Sequence, residues 1–178
     1  MAKDLTGVRV AKAFINNTTT TVSELELDFD LSRGEGIAIY RIQLEMALSQ
    51  VGFSSVFDTH NAHFSVHAEN DNLEEVQDLL SADQFQNDSE IIFEAAATMI
   101  GQDEAATRGG SAASIVWGSP NYINFLEVAE TPLVLAANPT VRVITTDAEF
   151  LVSGNFTFYY KYVELSAAEI REAFFRSR

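Results

Sequence analysis

The 178 residues contain no cysteine, which excludes disulfides, thiolate metal sites and cysteine nucleophiles. No apolar run approaches the length of a membrane span. The N-terminus also lacks the charged, apolar and small-residue order of a signal peptide. Catalytic signatures are missing as well, since there is no Gly-x-Ser-x-Gly elbow and no nucleotide-binding fingerprint. We therefore expect neither enzymatic activity nor a cofactor.

Basic residues are scarce. Eleven lysines and arginines face 26 acidic residues, which gives a formal net charge of −15. A body this acidic repels phosphate, so direct bulk binding to nucleic acid is not expected. The same composition fits a protein from a saline habitat, where an acidic surface keeps proteins soluble, and it also fits an ordinary acidic protein.

The first 22 residues are interpreted as an extended N-terminal arm. Residues 16–21 read Asn-Asn-Thr-Thr-Thr-Thr and offer nothing to bury, while their threonines favour an extended chain. Such an arm can dock on a neighbouring subunit, and a frayed terminus remains the alternative. The apolar residues assigned to subunit contact here are Val8, Val10, Phe14 and Ile15.

Strand signals dominate the middle of the chain. Residues 23–31 alternate acidic and apolar side chains, and residues 37–49 alternate again. Further segments with strand character are 115–117, 122–128, 131–136, 141–147 and 155–165. Residues 90–100 are interpreted as a buried strand, with a helix as the alternative, and a helix is also the alternative for residues 37–49. Strands at short intervals, with turn signals between them, are typical of a sandwich or barrel.

Two helices are predicted. The first, within residues 72–85, has an apolar stripe opposite acidic residues. The second spans residues 166–178 and opens with the capping box Ser166-Ala-Ala-Glu169. Its apolar residues pack on the body or on a partner, and we assign three of them to subunit contact: Ile170, Phe174 and Phe175.

The three histidines, His60, His63 and His67, lie within eight residues. The alternation around them favours a strand, which separates the side chains and supplies no third ligand. His63 and His67 are therefore only weak candidates for a metal site. The segment Gly101–Gly118, which carries Arg108 and Trp117, is the loop in which a ligand would be expected.

The order of these features resembles a family of viral proteins. It runs from a polar arm through an acid-alternating strand, a long strand and a mid-chain helix to the ending Phe156-Thr-Phe-Tyr-Tyr-Lys-Tyr-Val-Glu-Leu-Ser-Ala-Ala-Glu169. This order is similar to that of single jelly-roll coat proteins of icosahedral bacterial and archaeal viruses. The resemblance covers roughly residues 22–165 and rests on strand pattern rather than on a diagnostic motif.

The resemblance implies an all-β jelly roll of about eight antiparallel strands over residues 23–165, flanked by the arm (1–22) and the helix (166–178). It implies a virion component that assembles with copies of itself and with other virion proteins. Because the arm carries only three basic residues, the resemblance places the protein over a membrane or an inner shell rather than on the genome. The alternative is a jelly-roll binding module, lectin-like or receptor-binding.

Overall fold

The computed structural model describes residues 3–17, 22–51, 58–68, 91–103, 111–117, 121–145 and 150–170. The helix predicted within residues 72–85 lies outside these ranges. In the described part, no helix is long and apolar enough to span a membrane.

Strands make up most of the described chain, as the short repeated strand signals predict. The strands are β1 (Lys3–Asp4), β2 (Arg9–Asn16), β3 (Val22–Glu26), β4 (Glu35–Val51), β5 (Asp58–His67), β6 (Ile91–Asp103), β7 (Ser111–Trp117), β8 (Tyr122–Asn124), β9 (Leu133–Leu135), β10 (Thr140–Thr145) and β11 (Phe150–Glu164). A short helix, α1 (Phe125–Val128), separates β8 from β9.

The strands form two antiparallel sheets. The first, sheet A, has β1 and β2 on one side of β11, then β4, and then β8 and β9 along the far side of β4. The second, sheet B, has the order β3-β10-β5-β6-β7. The pairings are nested: β2 with β11, β3 with β10, β4 with β8 and β9, and β5 with β6. Nested pairing across two sheets is jelly-roll topology, and it confirms the predicted fold.

The core lies between the two sheets. The predicted apolar face of the last strand is confirmed, because Phe156 and Phe158 are fully buried and Tyr160 is nearly so. Phe64 from sheet B approaches Phe156, with 6.4 Å between ring centroids. Its ring also packs over Gly154, where an added Cβ would lie 2.6 Å from Phe64 Cε1. The absence of a side chain at Gly154 therefore leaves the space that the Phe64 ring of the opposite sheet occupies.

Four boundaries differ from the sequence predictions. The strand expected over residues 23–31 ends at Glu26. Beyond it, the side chain of Asn138 accepts a hydrogen bond from Phe29 N, and Asp30 has a positive φ of 51°. Phe29 is thereby turned into the core.

The strand expected over residues 122–128 stops at Asn124 for a local reason. The Asn124 side chain accepts from Leu126 N and donates to Glu127, which caps α1. Both β8 and β9 pair with β4, at neighbouring stretches of it. The two short strands therefore act as one strand beside β4, and the residues between them, including α1, form an insertion in it.

Much of the loop expected over residues 101–118 is strand, because β6 continues to Asp103 and β7 spans Ser111–Trp117. The N-terminal boundary differs too. Residues 9–16, assigned from the sequence to an arm, form a strand of sheet A, so the sandwich includes residues before position 23.

Candidate subunit-contact surface

An exposed stripe runs along the outer side of β2 and includes the residue just before it. We call it the β2 row: Val8, which precedes the strand, and Val10, Lys12 and Phe14 of the strand itself. Val8 is 59% exposed, Val10 54% and Phe14 61%. Large apolar side chains that are exposed together, rather than singly, mark interaction surfaces in soluble proteins. Three of the residues predicted for subunit contact therefore lie on an open surface.

The position of the β2 row follows from strand geometry. Side chains alternate between the faces of a strand, so Ala13 and Ile15 point to the core while their neighbours point outward. Ile15 is only 4% exposed and packs inside the sandwich. Its assignment to subunit contact is wrong, because the strand period places it on the face opposite Phe14.

The N-terminal segment is held by its own subunit. In β1, Lys3 pairs with Glu164, and Leu5 N donates to Tyr162 O at 2.9 Å. Asp4 accepts a hydrogen bond of 2.6 Å from Lys161 Nζ, and this bond raises the pKa of Lys161. These contacts hold residues 3–5 along β11 of the same subunit.

Asn17 corrects the expectation that residues 16–21 have nothing to bury. The side chain is almost fully buried, donates to Thr145 Oγ1 at 2.9 Å and accepts from Val152 N at 2.7 Å. It links the end of β2 to both sheets. The polar composition of the segment concealed this role, since buried amides stabilise only when their hydrogen bonds are satisfied.

A second exposed surface lies at the other side of sheet A. We call it the α1 row and define it by Leu126 and Val128 of α1 and by Glu130 just after the helix; Leu126 and Val128 are two residues apart and therefore lie on different sides of α1. Leu126 is 47% and Val128 68% exposed. Phe125 turns inward and anchors the helix in the core. The sequence predicts a strand over residues 122–128, and this exposed surface was therefore not predicted.

The C-terminal helix begins as predicted. Ser166 and Glu169 form the capping box, with Ser166 N donating to Glu169 Oε2 at 2.9 Å and Glu169 N donating to Ser166 Oγ at 3.3 Å. Hydrogen bonding, above all with the Ser166 backbone, lowers the pKa of Glu169 to about 2. Ile170 packs in part on the cluster formed by Ala38, Val163 and Leu165 of its own subunit. Phe174 and Phe175 lie outside the described residues.

The two candidate metal ligands lie on one strand but do not converge. His63 Nε2 is 3.5 Å from Glu94 Oε2, and burial lowers its pKa. His67 is buried and its Nε2 shares a 2.8 Å hydrogen bond with Ser65 Oγ. Within the described ranges, no group of three or more potential ligands could hold a metal ion.

Two arrangements of charge were not predicted from the sequence. Arg142 is fully buried, and its Nε and Nη2 donate to Glu24 Oε1 at 3.2 and 3.1 Å. On the outer face of sheet A, the Arg41 guanidinium lies 5.0 Å from the Tyr122 ring and 5.8 Å from the Tyr159 ring. Both the Arg142–Glu24 contact and the Arg41–tyrosine contacts depend on which strands pair and in which register. They could not be predicted without that pairing.

The predicted ligand loop is only partly described. Trp117 belongs to β7, where its backbone pairs with Ala97, rather than to a loop. Arg108 lies in the undescribed stretch between β6 and β7. The structure therefore does not bring these two residues into a described site.

No family model and no curated protein matches this sequence. Among solved structures, VP1 of Trichodysplasia spinulosa-associated polyomavirus in complex with GM1 oligosaccharide is similar at a TM-score of 0.45 and 7% identity, covering 92% of this chain and 98% of that chain. Merkel cell polyomavirus VP1 in complex with disialyllactose follows at 0.39 and 9%, covering 91% and 98%. The BFDV capsid protein, a 60-mer, is similar at 0.31 and 12%, covering 89% and 93%. At these values the likeness alone assigns neither a family nor a function.

Proposed function

We propose that this chain is a self-assembling capsid component of a virion, built as one jelly roll per subunit. The observation that carries the proposal is the β2 row, which lies at the edge of sheet A. Its apolar residues Val8, Val10 and Phe14 are each more than half exposed. Exposing these side chains is unfavourable in water by about 25 cal/mol per Å² of apolar surface. A second subunit that covers them removes this cost.

The fold supports the proposal without deciding it, because one fold serves many functions. Compact sandwiches pack side by side around symmetry axes, and closed homo-oligomers are the usual assembly of such subunits. The host group stays a prediction from the resemblance: an icosahedral bacterial or archaeal virus.

The partners proposed are copies of this chain and other virion proteins. The net charge of −15 disfavours direct bulk contact with a genome. We therefore propose a position over a membrane or an inner protein shell. On the C-terminal side, Ile170 packs at least partly on its own subunit, while contact of Phe174 and Phe175 with a neighbour remains part of the proposal.

The test is the solution mass of the purified full chain, measured by light scattering over a range of protein and salt concentrations. We expect oligomers or closed particles, and we expect the double variant Val10→Ser/Phe14→Ser to shift the mass toward the monomer. Leu25→Ser is the matched control, because it removes an exposed apolar side chain (39% exposed) from sheet B instead. A wild-type chain that stays monomeric under all these conditions would overturn the proposal.

The outer-face arginine favours one second candidate, a ligand-binding virion head. Arg41 lies between Tyr122 and Tyr159, and its Nε is buried with no hydrogen-bond partner among the described residues. An arginine flanked by aromatic rings suits an acidic sugar, whose carboxylate pairs with the guanidinium and whose ring packs on tyrosine. Binding of acidic glycans by a monomeric chain, lost in Arg41→Gln, would favour this candidate.

A further inference from the structure

We infer that the subunits associate head to tail, with the β2 row of one copy docking on the α1 row of the next copy. This inference rests on the proposed self-assembly and names the surfaces that carry it. The occupant of each surface is therefore a second copy of this chain.

The two rows lie at opposite margins of one sheet. The β2 row lies beside β11, on the side of β11 away from β4. Helix α1 lies between β8 and β9, which pair with β4 on the side away from β11. In the described part of sheet A, β2 pairs only with β11, and β8 and β9 pair only with β4. Two different surfaces on opposite sides are the requirement for a heterologous contact, which closes into a ring when the rotation per subunit permits.

The charges of the rows are complementary. Lys12 is exposed between Val10 and Phe14, and Glu130 is exposed two residues after Val128. Neither makes an ion pair within the described part of the chain. Lys12 is one of only three lysines, so a positive charge inside an apolar stripe is unusual for a body with a net charge of −15.

These charges also decide between the available pairings. A contact between two β2 rows would bring two Lys12 side chains into one interface with no acidic residue of either row to pair with, and a contact between two α1 rows would bring two Glu130 side chains together with no basic residue of either row. Like charges brought together at an interface are disfavoured, whereas opposite charges select partner and orientation. Only the contact between different rows joins apolar with apolar surface and lysine with glutamate.

Charge reversal tests the pair directly. We expect Lys12→Glu and Glu130→Lys each to weaken association about tenfold or more, and the variant with both changes to return to within about threefold of wild type. Glu130 has a positive φ of 59°, and lysine there adds no backbone strain beyond that of glutamate. Far-UV circular dichroism verifies that each variant is folded. Glu26→Lys is the control, since it reverses an exposed charge on β3, which belongs to sheet B.

A mixing experiment tests the head-to-tail geometry. One variant carries Lys12→Glu/Phe14→Ser and is disabled at the β2 row; the other carries Leu126→Ser/Val128→Ser, keeps Glu130 and is disabled at the α1 row, so that the two disabled rows would bring glutamate against glutamate. Each alone should be monomeric. A mixture should form dimers through the one intact pair of rows, and no larger species.

The outcomes separate this inference from the proposed function. If wild type oligomerises and Glu130→Lys changes nothing, or if the mixture forms no dimer, the head-to-tail contact is refuted while self-assembly stands. If wild type is monomeric, the proposed function fails and the inference fails with it.

Discussion

Replacing Gly154 with alanine should destabilise the sandwich, although alanine normally stabilises a chain relative to glycine. The new Cβ would lie 2.6 Å from Phe64 Cε1, 2.9 Å from Phe64 Cδ1 and 3.0 Å from Leu44 Cδ1. Both neighbouring side chains are fully buried, so neither can swing into solvent to make room. One extra carbon in a filled core costs about 1–3 kcal/mol. Reduced freedom of the unfolded chain offsets about 0.4–1 kcal/mol of this.

We therefore expect Gly154→Ala to lower the free energy of unfolding by about 1–2 kcal/mol. Urea denaturation followed by far-UV circular dichroism, at one fixed protein concentration, measures this change. The matched control is Gly7→Ala, because a Cβ at Gly7 meets nothing within 4 Å. That variant should be at least as stable as wild type.

A double-mutant cycle shows whether the Phe64 ring is the cause. Phe64→Leu removes the ring atoms that a new Cβ would meet, so Gly154→Ala should cost less in that background than in wild type. If Gly154→Ala were as stable as wild type, or if it lowered the free energy of unfolding equally with Phe64 and with Leu at position 64, the packing of the Phe64 ring on Gly154 would be refuted.

Three further predictions address charge. Glu24→Ala should lower the free energy of unfolding by about 3 kcal/mol, because it removes a partner of the fully buried Arg142. The control Glu45→Ala, at an exposed site, should change that free energy by less than about 0.5 kcal/mol. Urea denaturation midpoints of the two variants compare these effects. The capping-box carboxylate, with a folded pKa of about 2 against an ordinary 4.5, stabilises the chain above pH 4.5 and loses this contribution as the pH falls through 2. The stability difference between wild type and Glu169→Gln should therefore be present at pH 6 and vanish near pH 2, and equal differences at both would contradict the contact. Added salt should raise the mass measured by light scattering, because it screens the repulsion between bodies of charge −15; a fall in mass would show that ion pairs dominate the contact.

Strand character could be predicted because it is a local property. The long strands β4 and β11 and the strand β6 follow from alternation and β-branched or aromatic content, and the capping box at Ser166 is visible as a four-residue motif. The strand predicted over residues 122–128 was wrong after Asn124, because the Asn124 side chain caps a helix that begins at Phe125. Asn17 was missed because its partners lie more than 100 residues away in the sequence.

The exposed contact surface was predictable in part. Val8, Val10 and Phe14 stood out as apolar residues in a polar segment, and the structure leaves them exposed. Ile15 shared their composition but not their face, and only the pairing of β2 with β11 shows this. The α1 row carried no sequence signal, because its exposure depends on Phe125 turning inward beside β4.

The sequence by itself determined the class of structure and the electrostatic character, because alternation, aromatic content and net charge are properties of the chain wherever it folds. Tertiary structure decided which residues meet. The nested pairing of distant strands sets the register that buries Arg142 against Glu24 and seats Phe64 on Gly154. The same pairing places the β2 row and the α1 row at opposite margins of one sheet, since that separation depends on strand order rather than on local sequence.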